Sequence, residues 1–240
     1  MWVRAHSSRS MKRMHMKKHF VATAALLVGS AVGLPALAAE NPMDHAGAQH
    51  NMYLGCLMDL NPSHDQALTL LVKKCGYALG MPLDQFIATQ QPIIDGIDPT
   101  RSVTENLTGL RQRFSAEEFA FVVRIDQIVE NADDLEAAAA QFEELERDAL
   151  AKLDPTSKNG ALILGGLSVA RHSTRYWSRQ AAESGQFAAE GGTSKRKGRF
   201  WKWLGVIAAD VISYFQSENP GTAATSSDDA YTLFFEGFGF

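Results

Sequence analysis

The stretch S-A-E-E-F-A-F-V-V-R-I-D-Q-I-V-E, residues 115–130, decides the fold class. Ser115 and Glu118 stand three apart, the spacing at which a serine hydroxyl and a glutamate carboxylate each accept from the other's backbone N–H and cap a helix start. Phe119, Val122, Ile125, Ile128 and Val129 then recur at helical steps and give the segment a wide apolar face.

Beyond it, residues 131–134 break and recap the chain. Leu135, Ala138, Ala139, Phe142, Leu145, Leu150 and Leu153 again follow helical spacing until Asp154-Pro155. From 156 to 182, Ile163, Leu167, Ala170, Thr174 and Trp177 form one row, and Leu162, Gly166, Val169, Ser173 and Tyr176 form its neighbour. Two long helices across a short Pro-containing turn predict an antiparallel hairpin. Residues 183–197 are rich in Gly, Ala and Ser and read as a linker, 198–215 as an amphipathic helix, and the polar stretch 216–240 as a disordered tail.

Toward the N-terminus, Ser63 can cap a helix reaching Leu79, and 82–90 suggests a shorter one. Gln91-Pro92 through Asp98-Pro99 breaks the pattern, and Thr100 or Ser102 can cap a helix to Arg113. No convincing run of alternating strands appears. The expected fold is therefore all-α: a small irregular helical domain over 51–182 containing a long antiparallel hairpin, with flexible termini and a flexible leader over 39–50.

Residues 11–40 read as a secretory signal peptide. Lys12, Arg13, Lys17, Lys18 and His19 precede a run of Val, Ala, Leu and Gly, and Pro35 is followed by a small-x-small site near Ala38. An uncleaved anchor is the alternative, but the run is short for a spanning helix and interrupted by Gly29, Gly33 and Pro35. The expected location is periplasmic or extracellular. Residues 1–38 hold six of the 23 basic residues and none of the 27 acidic ones, so the mature chain is strongly acidic. Such a balance argues against nucleic acid as a partner. In an oxidising compartment Cys56 and Cys75 are expected to form a disulfide, two buried thiols being the alternative.

Four groups of residues could carry function. Lys195, Arg196, Lys197, Arg199 and Lys202, beside Trp201 and Trp203, suit either an anionic membrane surface or a partner. In the competing arrangement this helix docks its apolar face on the domain, and Asp210 faces solvent or a basic group. Met43, His45, His50 and Met52 combine thioether and imidazole in a way that suits copper, although no spacing fixes their geometry and no cofactor is otherwise expected. Arg171, Arg175 and Arg179 align on one helix face and are expected to pair with Glu136, Glu143, Glu144 and Glu146 of the preceding helix. For hydrolysis the candidates are Asp59, His64, Asp65, Asp95 and Asp98, and that reading requires a pocket joining at least two of them.

The run S-V-A-R-H-S-T-R-Y-W, residues 168–177, resembles the S-V-A-x-x-S-x-x-Y-W helix of a group of exported bacterial proteins without an assigned activity. Ala208-Ala209-Asp210-Val211 is similar to a second element in them, although the stretch that follows is poorer here in glycine. The resemblance spans about 142–215, implies an exported helical protein and transfers no site. The function expected is thus contact rather than catalysis, through a protein partner or a membrane surface, with copper binding and hydrolysis as alternatives.

Overall fold

The computed structural model describes residues 40–98, 101–184 and 193–236, with side chains from 200 onward in the last segment. The segment expected to be a signal peptide, most of the expected linker and the last four residues lie outside these ranges. The described residues form an all-α domain without strands: α1 (Asp44–Leu60), α2 (Ala67–Lys73), α3 (Leu83–Asp95), α4 (Val103–Asn106), a 3-10 turn (Thr108–Arg113), α5 (Ala116–Asn131), α6 (Leu135–Lys152), α7 (Lys158–Glu183), α8 (Thr193–Ser217), α9 (Pro220–Tyr231) and a closing π-turn (Thr232–Glu236).

The helix starts follow their local chemistry. Ser115 accepts from Glu118 N at 3.2 Å while the Glu118 carboxylate accepts from Ser115 N at 2.7 Å, and Ser102 and Glu105 form a second such box. Asp134 caps α6 and Ser157 caps α7, so the turn between them is held at both ends. These two helices make the expected antiparallel hairpin.

α7 is the axis of the core. It is packed by α6, α1 and α8, and α9 is in turn packed by α1 and α8. Close crossings explain the small residues on α7: a Cβ on Gly166 would lie 2.5 Å from the Phe215 ring of α8. Where α1 meets α7, a Cβ on Gly47 would sit 2.4 Å from Ser168 O. Gly47 N instead donates to Ser168 Oγ at 3.1 Å, and Ser168 Oγ donates back to Asp44 O at 3.0 Å.

Several boundaries differ from the sequence expectation: α2 covers only 67–73 and does not reach Leu79, the helix expected to Arg113 is a short helix and a 3-10 turn, α8 starts at Thr193 within the expected linker, and three further differences shape the core. The leader is not a flexible run to residue 50, because α1 starts at Asp44 and buries Ala46, Gly47 and His50 against α7. α3 continues through Pro92 to Asp95; proline removes one helical donor near the end of the helix, while Ile94 gains a place in the core. The tail from 216 is not disordered. Asn219 caps α9 by accepting from Gly221 N and Thr222 N, Pro220 takes the first turn, and residues 221–228 are all buried.

α9 buries polar side chains without stranding them. Thr225 Oγ1 donates to Gly221 O and Ser226 Oγ to Thr222 O, both at 3.1 Å, and Ser227 Oγ accepts from Trp177 Nε1 at 3.2 Å. Hydroxyls satisfied by their own helix let α9 approach its neighbours closely without large apolar residues. Around its C-terminal end Trp177, Trp203, Tyr231 and Phe235 stack with centroids 4.3–5.8 Å apart. The expected disulfide joins α1 to the end of the α2 segment, with Cys56 and Cys75 at an S–S distance of 2.01 Å.

Candidate functional site

The end of α1 positions the site. Asn61 takes the left-handed conformation that its short polar side chain tolerates, and its N–H closes the helix on Leu57 O. Ser63 O then accepts from Gln66 N and Ala67 N, which turns the chain and directs His64 between α3 and α9. His64 Nδ1 lies 2.8 Å from Asp229 Oδ2 on α9, and Nε2 lies 2.9 Å from Asp95 Oδ1 on α3. Gln91, one helical turn before Asp95, donates to the same Asp95 oxygen at 2.9 Å.

With a carboxylate on each nitrogen the His64 imidazole donates twice when it holds both protons, while Gln91 Nε2, 3.0 Å from His64 Nε2, is placed to donate to that nitrogen in the neutral ring. Partial burial opposes the charge, but the charge and hydrogen bond of Asp229, with those of Asp95, outweigh it and raise the His64 pKa above 6.5. Burial pushes Asp229 up to about 6, aided by Asp95 and opposed by His64. Asp228 goes higher, to about 7, chiefly through burial and then through the charges of Asp229 and Glu236.

These shifts predict a pH dependence. A carboxyl with a raised folded pKa contributes stability that is complete below its ordinary value of 3.8 and lost as pH climbs to the folded value. His64 has the same sign above 6.5, whereas His172, whose pKa burial and Arg171 depress against the pull of Asp44, has the opposite sign below 6.5. Comparison with Asp228→Asn isolates the buried carboxyl. Urea denaturation from pH 4 to pH 7 should show the native protein losing stability relative to the variant, by up to about 1.4 kcal/mol per pH unit. Parallel profiles would contradict it.

His64, Asp95 and Asp229 stand on a pocket of about 450 Å³ built by four separate segments. Pro62, Ile94, Ile97, Ala209 and Leu233 give it largely apolar walls. His64 and Asp95 are each a little over half exposed, while Asp229 is mostly covered. Mostly apolar walls with a few placed polar groups are the composition of small-ligand sites of this size.

The pocket unites His64 and Asp95, two of the five hydrolytic candidates. Asp59, Asp65 and Asp98 do not line it: Asp65 accepts from Ser63 Oγ at 2.6 Å, and Asp98 pairs with Arg101 at 3.2 Å. Asp229 and Gln91 were missed. Both fall in stretches read as breaks or disorder, yet Asn219-Pro220 is a cap followed by a first-turn proline and is itself the signal for α9.

The copper candidates do not converge. At 100° per residue along α1, Met43 and His50 share one face, and His45 and Met52 share the opposite one. His50 is fully buried, with Nδ1 3.0 Å from Asn51 Oδ1 and Nε2 3.5 Å from Asp210 Oδ2, whereas Met52 is exposed. Among the described residues no group of three or more His, Cys, Asp or Glu side chains is arranged to hold a metal.

The basic aromatic segment is corrected in part. Trp203 is 1% exposed and stacks in the core, so it cannot face a membrane or a partner. Lys202 donates to Phe234 O at 2.7 Å, and Trp201 stays exposed. The side chains of Lys195, Arg196, Lys197 and Arg199 lie outside the described residues. α8 from Phe200 onward is a docked helix, and Asp210, expected to face solvent or a basic partner, is fully buried beside His50 and accepts from Ser173 Oγ.

Two of the three arginines in the row, Arg171 and Arg175, pair with the preceding helix as expected, whereas no described ion pair involves Arg179, Glu136 or Glu144. Arg175 meets Glu143, and Arg171 meets Glu146 with Nε at 2.8 Å from Oε2. Arg171 and His172 also bind Asp44, which ties α1 to the hairpin. Among the described residues no helix is long and apolar enough to cross a membrane. Compared with protein-family models, curated proteins and solved structures, the chain finds no match.

Proposed function

We propose that this is an exported, non-enzymatic helical protein that works by contact, and that its principal contact site is the His64 pocket, which holds a small ligand. The observation that carries the reading is the doubly bonded imidazole at the mouth of an apolar cavity. General-base catalysis needs an unshared pair on a ring nitrogen, and the carboxylates on both nitrogens favour the form of His64 in which neither has one. The second histidine–carboxylate group, His50 with Asp210 and Ser173, is equally unsuited to nucleophilic chemistry. There the serine donates to the aspartate instead of to the histidine, and His50, Asp210 and Ser173 are all sealed from solvent.

Export is supported by the basic-then-apolar start of the sequence and by a disulfide of the kind oxidising compartments preserve. A secondary contact with a protein partner or an anionic membrane is supported by the basic sequence at 195–199 and by the exposure of Trp201.

Titration of the isotope-labelled mature protein with n-hexanol tests the pocket. Amide shifts are expected at Ile94, Ala209 and Leu233, and Ala230→Phe, which fills the cavity from α9, should abolish them while the thermal transition stays cooperative. Shifts scattered over the surface, or shifts unchanged by the filling variant, would contradict the assignment.

A further inference from the structure

We propose, building on the pocket reading above, that the ligand is an organic cation: an ammonium head on a short unbranched apolar chain, the head seated between Asp95 and Asp229 and the chain against Ile94, Ile97 and Leu233. The charges come first. Two aspartates and one histidine are the ionisable groups lining the cavity, with no lysine or arginine among the lining residues. With His64 cationic and both carboxylates ionised, the trio carries one net negative charge, and an anion would meet repulsion that a cation would relieve.

Hydrogen-bonding capacity points the same way. The described bonds to His64 and Gln91 use Oδ1 of Asp95 and Oδ2 of Asp229. No described bond uses Asp95 Oδ2 or Asp229 Oδ1, so each carboxylate keeps an oxygen with acceptor capacity. An ammonium has three donors and no acceptor, so it complements two such oxygens, whereas a carboxylate or phosphate has nothing to offer them. The walls supply the rest: beyond the acidic mouth, apolar surface predominates, which suits a hydrocarbon chain.

The fold brings these charges together from separate elements: His64 comes from the loop before α2, Asp95 from α3 and Asp229 from α9, while Asp228, the next carboxyl on α9, is buried and holds its proton up to about pH 7. A cation arriving beside Asp229 favours its ionised form, so binding should strengthen as pH rises through about 6, where that carboxyl titrates.

The test compares n-hexylammonium, n-hexanol and hexanoate on the full mature protein by amide shift titration and calorimetry. At pH 7.5 hexylammonium is expected to bind at least about tenfold tighter than hexanol, with hexanoate weakest, and to lose affinity at pH 5. Asp95→Asn keeps the acceptor for His64 and Gln91 but removes the charge. It should lower hexylammonium affinity severalfold and leave hexanol unchanged, which a merely structural role of Asp95 would not do. Nα-acetyl-lysine methylamide separates two sources of the same head group: affinity matching or exceeding that of hexylammonium assigns the site to a lysine side chain of a partner, and weaker affinity to a free amine. Equal binding of hexylammonium and hexanol, or tighter binding of hexanoate, would overturn the cation assignment and leave the pocket reading in place. Absence of pocket shifts with all three hexyl probes would overturn both.

Discussion

Replacing Asp210 by alanine is expected to destabilise the domain by about 1–3 kcal/mol, the cost of leaving a buried hydrogen-bonding group unsatisfied. Asp210 is fully buried on α8, between His50 of α1 and Ser173 of α7. Its removal leaves the Ser173 hydroxyl without its acceptor and takes away the carboxylate 3.5 Å from His50 Nε2, at the point where three helices meet. Asp210→Asn retains an acceptor oxygen and should cost less. Urea denaturation at pH 7 measures both, and a loss below about 1 kcal/mol for the alanine variant would show that the cluster does not hold α1, α7 and α8 together.

The second large effect comes from the C-terminal helix. A mature chain ending at Glu218 lacks α9 and the π-turn, and so uncovers the face of α1 and α8 that packs on α9, together with one side of the Trp177–Trp203 stack. Domains of this size are stable by only about 5–15 kcal/mol. The truncated chain is therefore expected to lose its cooperative thermal transition while keeping part of its helical circular dichroism. A transition within a few degrees of the intact protein would mean that α9 is an appendage, as its polar composition suggests.

That composition explains what the sequence hides. Helices whose buried faces carry large apolar residues, α5 to α7, are legible from spacing and caps, and so is the disulfide, from two cysteines in a chain that its first residues lead one to expect in an oxidising compartment. α9 defeats the same reasoning, because its buried positions are, apart from Asp228, Gly, Ala, Ser and Thr, which allow close approach and supply hydroxyls that bond their own backbone. The start of α1 is hidden in the same way by Ala46 and Gly47, whose small size is what lets α1 cross α7. Trp203 misleads in the opposite direction: beside a basic cluster it reads as a surface anchor, yet an aromatic row on α7, α9 and the π-turn draws it inward.

The site divides along the same line. His64 and Asp95 were legible as turn-associated chemistry, and a pocket joining them was the arrangement that hydrolysis required. What turns the pair toward binding is Asp229, contributed by the helix that spacing could not reveal. One carboxylate would orient His64 as a base, whereas two carboxylates, on α3 and α9, raise its pKa and favour the cation.

The protonation state of His64 therefore tests the account most directly. Imidazole nitrogen-15 spectra of the labelled mature protein, assigned with His64→Gln, should show both His64 ring nitrogens protonated at pH 6.5, with titration to the neutral form only above that value. A neutral ring at pH 6, with one nitrogen unprotonated and free to accept a proton, would contradict the binding account and return the site to acid–base catalysis.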